Sequence, residues 1–305
     1  MAINDQKPEI RQFSFHKMFV DNAIYFVLLA LLMLIVIIEP RFLNITNFQN
    51  IFAQSSTKII IAIGAGMILV VQGVDLSAGR LVGLGAVLSA SLMQNASYKF
   101  RMYPDLPELP LIVPILVAII ACGLLGFLVG SIVALLKVPP FIATLGSQLV
   151  VFGVASLYYA SQPSGAQPFG GISKSITSIS TGAIKIGSLR IPYLTLIALG
   201  IAVIMWVFWN KTRFGKYMFA VGGNTETARV SGVNVARTLI AVYTIASILY
   251  AIASVLEVGR IGSATSSTGE GYEMDAVAAC VVGGVSLKGG VGSIGGIVIG
   301  VLMFT

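Results

Sequence analysis

Two stretches carry carboxylates into apolar surroundings: Val74-Asp75-Leu76-Ser77-Ala78-Gly79-Arg80, and Glu273-Met274-Asp275 ahead of Ala276 to Leu287. Ionisable groups at membrane depth are costly and mark solute or ion pathways, so Asp75, Ser77, Arg80, Glu273 and Asp275 are candidates for lining a translocation route. Asp75 has a second reading, as the N-cap of the helix that follows, its carboxylate accepting free backbone N–H groups. Arg80 stands five residues beyond Asp75, outside the favoured helical pair spacings, so its partner is expected elsewhere in the chain. Thr144, Ser147 and Gln148 offer hydroxyl and amide groups for a hydroxylated solute, or serve as hydrogen-bond glue between helices.

Other chemistries have little to work with. The single histidine, His16, lies in the polar N-terminal stretch, and the two cysteines, Cys122 and Cys280, sit inside apolar runs, so neither a metal site nor a disulfide framework is indicated. Gly290-Val291-Gly292-Ser293-Ile294-Gly295 spells a dinucleotide fingerprint, but it opens an apolar run ending at Thr305 instead of a strand–turn–helix unit with a later acidic residue. No Walker A loop, nucleophile elbow or zinc-protease helix occurs, so no catalytic residues are assigned and no cofactor is expected on this chain.

The elements that position these groups belong to a membrane. Of 305 residues, 56% are hydrophobic and only 10% charged, with mean hydropathy +0.93, whereas soluble domains carry about 25% charged residues. With about 20 apolar residues needed per span, candidate helices run over Ile24–Ile38, Ile59–Val74, Leu76–Met93, Leu111–Leu136, Phe141–Ala160, Ile191–Trp209 and Leu239–Leu256. The first could be a signal-peptide core, but Glu39-Pro40-Arg41 follows it instead of a small-residue cleavage site. Ala276–Leu287 and Val291–Thr305 are short, which fits broken or re-entrant segments. The last stops in mid-pattern, so a further C-terminal helix is expected to belong to the intact protein. The expected fold is all-α and polytopic, a bundle of about nine or ten transmembrane helices. Residues 1–305 are expected to form one transmembrane domain with an N-terminal half over 22–160, a C-terminal half over 190–305 and a cytoplasmic loop over 210–237. Two short acidic-led segments, one in each half, point to a site between two repeats. Glycines spaced by four (Gly79 and Gly83; Gly126 and Gly130; Gly292, Gly296 and Gly300) read as close-packing seams.

Charge placement orients the bundle. From Asn210 to Arg237 five cations (Lys211, Arg213, Lys216, Arg229, Arg237) face Glu226 alone, a net of +4, while from Glu257 to Asp275 four carboxylates face Arg260 alone, a net of −3. The positive-inside rule then puts the N-terminus and the 210–237 loop in the cytoplasm and the Ser/Gly-rich 161–189 stretch outside. Trp206 and Trp209 fit an interfacial aromatic belt. Within the basic loop, Asn224 as N-cap, Glu226 in the first turn and Gly232 at the end predict a helix of about two turns. Such a loop either holds topology or docks in a groove of a cytoplasmic partner.

Four ordered motifs give a resemblance that covers the chain from the first helix to Thr305: Val74-Asp75-Leu76-Ser77-Ala78-Gly79, Val138-Pro139-Pro140-Phe141-Ile142-Ala143-Thr144-Leu145-Gly146, the Gly222–Val235 loop, and Gly283-Gly284-Val285-Ser286 followed by Gly289-Gly290. Together they resemble the permease subunits of ribose/galactoside-type ATP-binding-cassette sugar importers. Gly259–Thr265 and Glu273–Cys280 are similar to the galactoside branch. The resemblance implies a homodimeric inner-membrane permease for a monosaccharide, galactose or a methyl galactoside, that is not itself an enzyme. It also implies a periplasmic sugar-binding protein outside and a cytoplasmic subunit with two nucleotide-binding domains, where ATP and Mg are bound. On that reading Gly222, Gly223, Asn224, Glu226, Ala228, Arg229 and Gly232 form the element coupled to the ATPase, and the external segments 161–189 and 257–275 face the binding protein. The alternatives are an ion-coupled secondary transporter with Asp75 and Asp275 as coupling carboxylates, or a permease of the same family for ribose, another pentose or a nucleoside.

Overall fold

The computed structural model describes residues 33–305 apart from 164, 166, 187 and 188. The expected first helix, Ile24–Ile38, therefore lies mostly outside the described residues, although 33–38 are helical. The chain divides into two compact units, Met1–Phe48 and Gln49–Thr305. In the first, a 3-10 turn at Pro40–Leu43 leads to Asn44, whose side chain accepts the Thr46 N–H at 3.0 Å. Phe42 and Phe48 meet edge to face there, with ring centroids 6.2 Å apart.

Helix α1 (Ile45–Val70) is followed in the second unit by α2 (Ala78–Leu92), α3 (Ile112–Leu135), α4 (Pro140–Ala160), a short α5 (Lys174–Thr181) and a hairpin of β1 (Ala183–Ile186) and β2 (Leu189–Pro192). The rest is α6 (Tyr193–Lys211), α7 (Arg213–Gly223), α8 (Thr225–Val230), α9 (Val235–Ile261), α10 (Tyr272–Val282) and α11 (Ile294–Phe304). Five helices, α1, α3, α4, α6 and α9, are long and apolar enough to cross a bilayer, and α2 and α11 are shorter apolar helices. Helix α10, which α11 follows, has 11 residues and reaches about 16 Å, roughly half a hydrocarbon core. The two helices pair with each other, a Cβ on Gly283 striking the Gly296 carbonyl and one on Gly300 the Ala279 carbonyl.

Burial is arranged for lipid. The stretch Ile60–Val70 of α1 is buried all round, which is how a uniformly apolar helix sits at the centre of a bundle. By contrast α3 turns Leu116, Ile120, Leu124 and Leu128 outward, α4 Leu149, Val150 and Leu157, and α6 Leu199, Val203 and Ile204. Exposed apolar surface on that scale marks a face built for a membrane. Glycine seams draw the helices together: Gly64 of α1 lies on Ala246 and Tyr250 of α9, and Gly126 and Gly130 of α3 lie on Tyr243, Ser247 and Ile240 of α9.

The structure departs from the sequence-based expectations in three places. Helix α1 starts at Ile45, not Ile59, because the polar run Ser55–Lys58 is absorbed: Ser55 and Ser56 donate to carbonyls one turn back, Thr57 bonds Glu257, and Lys58 pairs with Asp275. The 161–189 stretch is built, not a plain loop. Phe169 is fully buried against Tyr158 and Tyr159 and exchanges backbone hydrogen bonds with Ala264, and Ser173 caps α5. The 210–237 loop holds two helices; α7 is capped by Thr212, which accepts the Gly215 N–H at 3.1 Å.

Candidate functional site

Between α1 and α2 the chain turns within Val71–Ser77, with Gln72 in the left-handed region at φ 66°. Asp75 is 3% exposed, and its Oδ1 accepts the Ser77 N–H at 2.9 Å and the Ser77 hydroxyl at 2.6 Å. The N-cap position itself is held by Ser77 in helical geometry without a side-chain cap bond. Asp75 thus secures the turn two residues before the helix, a correction to its reading as the N-cap residue. Thr144 is buried and donates to the Val74 carbonyl at 3.1 Å, so its hydroxyl ties α4 to this turn. Ser147 and Gln148 are half-buried on α4 with no hydrogen bond among the described residues. On α9 the buried Tyr250 hydroxyl faces the Asp75 carboxylate, and the buried Tyr243 hydroxyl has no partner among the described residues.

One turn along α2, Gly79 and Gly83 form a flat face against the segment that leads into α10. A Cβ on Gly79 would strike the Gly269 carbonyl and the Glu273 Oε2, and one on Gly83 would come within 2.6 Å of the Thr268 carbonyl. The two acidic-led short helices are therefore brought together through glycines. Arg80, beside this face, pairs with Glu270 at 3.0 Å and lies 4.3 Å over the ring of Phe152 on α4. Glu273 is 7% exposed, and its Oε2, like the Arg80 Nη1, is buried without a partner. Asp275 turns the other way, to Lys58 of α1 at 3.0 Å.

A buried charge network missing from the sequence reading joins α1, α9 and α10. Glu257 accepts from Thr57 at 2.8 Å, from the Tyr272 hydroxyl at 2.8 Å and from Arg260 Nη2 at 2.6 Å. The 257–275 segment is accordingly not a free acidic surface. Arg260 neutralises Glu257, Arg80 pairs with Glu270, and Lys58 pairs with Asp275. The net of −3 omitted the two cations that other helices supply. The Glu257–Arg260 spacing of three was visible in the sequence; the reach of Thr57 and Tyr272 to the same carboxylate was not.

At the opposite end of α1, the junction of α7 and α8 is locked to the bundle. Gln72 Nε2 donates to the Gly222 carbonyl at 2.8 Å, and the Gly290 N–H donates to the Val70 carbonyl at 2.9 Å. A Cβ on Gly222 would run into that same Val70 carbonyl. Helix α8 matches the predicted short helix: Asn224 Oδ1 accepts the Thr227 N–H at 2.9 Å, Glu226 lies in the first turn, and Gly232 adopts φ 83° after the last. Glu226 and Arg229 pair with each other at 2.9 Å on the surface, and Val230 is 84% exposed. Ala228 is buried. Of the two tryptophans, Trp206 is exposed beside Lys211, while Trp209 is buried against Phe219 and does not join a surface belt.

The bundle thus presents an apolar outer face, a glycine-locked contact between α2 and the segment leading into α10, and a capped, exposed helix α8. Residues 47–305 match the family described as branched-chain amino acid transport system / permease component. The chain belongs to this permease family. It is 49% identical over 285 residues to the galactose/methyl galactoside import permease protein MglC of Haemophilus influenzae, covering 93% of this chain and 84% of that one. To the MglC protein of Escherichia coli K12 it is 47% identical with the same coverage, and to the ribose import permease protein RbsC of that strain 35% identical over 90% of this chain and 82% of that one. No solved structure matches the chain. This permease is a multi-pass membrane protein, a transport component and not an enzyme.

Proposed function

We propose that the chain is the membrane-spanning subunit of an ATP-driven, binding-protein-dependent importer for galactose or a methyl galactoside in a bacterial inner membrane. The observation that carries this is the gap in identity within one organism, 47% to the galactoside permease of Escherichia coli K12 against 35% to the ribose permease of the same strain over similar lengths. The working assembly is a homodimer with the N-terminus cytoplasmic, a cytoplasmic ATPase with two nucleotide-binding domains below and a periplasmic sugar-binding protein above. Its halves, 22–160 and 190–305, each contribute a short acidic-led segment to the route. Asp75, Ser77, Arg80, Thr144, Ser147, Gln148, Glu273 and Asp275 lie along or beside it.

The 210–237 region is the coupling element. Glu226 and Arg229 form an exposed pair worth at most about 1 kcal/mol, so a partner can take either charge at little cost. Exposed Val230 offers an apolar anchor for a groove. The bond from Gln72 to the Gly222 carbonyl supplies the mechanical link from that element to the end of the central helix. Vesicles containing all three components test the reading. Wild type imports galactose only with ATP, and Glu226→Arg hydrolyses ATP without matching import; full coupling in Glu226→Arg and in Asn224→Ala refutes the docking assignment. The ion-coupled alternative is less favoured because Asp275 is engaged by Lys58; it predicts uptake without any ATPase and abolished by an uncoupler.

A further inference from the structure

We infer that Arg80 and Glu273, with Phe152 of α4 against the guanidinium and Gln148 one turn from Phe152 on the same helix, form a subsite that touches the hydroxyl groups of a neutral polyhydroxylated solute during passage. This deepens the sugar-import reading and rests on it. Buried polar atoms in folded proteins almost always have partners, and each orphan calls for a reason. Here a guanidinium N–H of Arg80 and a carboxylate oxygen of Glu273 are both buried and unpartnered, although they carry opposite charges and flank the same glycine face of α2. No ion pair joins them among the described residues; Arg80 spends one nitrogen on Glu270 and keeps the other free.

A free donor and a free acceptor held apart on a rigid face match a sugar, whose neighbouring hydroxyls each accept one hydrogen bond and donate another. The guanidinium is held in place by the Phe152 ring and by Glu270, so the donor is set before a solute arrives. On α4, Gln148, Phe152 and Ser156 recur at intervals of four and so share one side of an otherwise lipid-facing helix. The Gln148 amide makes no hydrogen bond and the Ser156 hydroxyl is buried without one among the described residues. The Thr268–Glu270 turn lies over the glycine face, which makes this a closed arrangement of the subsite.

The test is the amount of galactose imported per ATP hydrolysed, in vesicles holding the permease, its ATPase subunit and galactose-loaded binding protein. With the hydrolysis of vesicles lacking the permease subtracted, the ratio does not depend on how much permease folds. Glu273→Gln and Arg80→Lys each lower it at least fivefold. A purely structural role lowers import and hydrolysis together and leaves the ratio within fivefold of wild type; that result in both variants overturns the subsite. If neither variant assembles, Phe152→Leu, which keeps both charges but frees the guanidinium, must lower the ratio at least twofold, and an unchanged ratio overturns the subsite equally. A wild type that hydrolyses ATP but imports no galactose overturns the sugar-import reading itself, which separates that failure from failure of the subsite.

Discussion

Glu257 is 1% exposed, and its charge is held by a hydroxyl from α1, a phenol from α10 and the guanidinium of Arg260. Removing one partner of a buried pair leaves an uncompensated charge and typically costs about 3–5 kcal/mol. Arg260→Ala, which leaves the carboxylate buried, is therefore expected to destabilise the protein by roughly that amount, discounted because the Arg260 side chain is 28% exposed. Thr57→Val, which removes one hydrogen bond to a charged group, costs about 1.5–3 kcal/mol. Denaturant unfolding in detergent micelles ranks the two, and an Arg260→Ala variant as stable as wild type would refute the account of the network. At this scale the sequence was partly legible. Asp75 was expected to accept backbone N–H groups as the N-cap of α2; it does accept one, from Ser77, but Ser77 holds the cap position. That it serves Ser77 from outside the helix depends on the turn geometry, which the residue types do not prescribe.

Among the elements, α8 was readable because its signals are local: Asn224, Glu226 and Gly232 act within one short stretch. Asn224→Ala is expected to cost about 1 kcal/mol of helix stability, seen as faster amide exchange in 225–230 than in wild type. The start of α1 was misplaced because Ser55–Lys58 looks like a loop until it is seen that Ser55 and Ser56 return their hydroxyls to carbonyls of their own helix and that Thr57 and Lys58 have partners on α9 and α10. The junction between α7 and α8 gives a sharper experiment. Adjacent glycines differ in surroundings: a Cβ on Gly222 meets the Val70 carbonyl and the Gly290 nitrogen, while one on Gly223 meets nothing within 4 Å. Gly222→Ala is expected to impair ATP-coupled uptake at least tenfold, whereas Gly223→Ala stays within about twofold of wild type. Equal behaviour of the two in the vesicle assay would mean that the contact with α1 carries no coupling.

For the whole molecule, orientation and burial are tested together. Cys122 and Cys280 are fully buried, so a membrane-impermeant maleimide is expected to leave both unlabelled until the protein is denatured. Cysteines placed at the exposed positions Ser175 and Glu226 should then label from opposite sides of the membrane, Ser175→Cys from outside and Glu226→Cys from the cytoplasm; labelling of both from one side would refute the topology. Composition, hydropathy and capping residues by themselves determined that this chain lives in lipid, where most of its spans lie, that the apolar segment after Asp275 is short, and that α8 is a capped helix. These follow from properties summed or paired over a few consecutive residues. Only the tertiary structure decided that the acidic 257–275 segment is largely neutralised, that α2 meets the segment leading into α10 across Gly79 and Gly83, and that Gly222 is bound to the end of α1. Lys58 and Asp275 are separated by 217 positions, as Thr57 and Glu257 are by 200. Which helix face meets which is set by packing the whole bundle at once, and no local pattern encodes it.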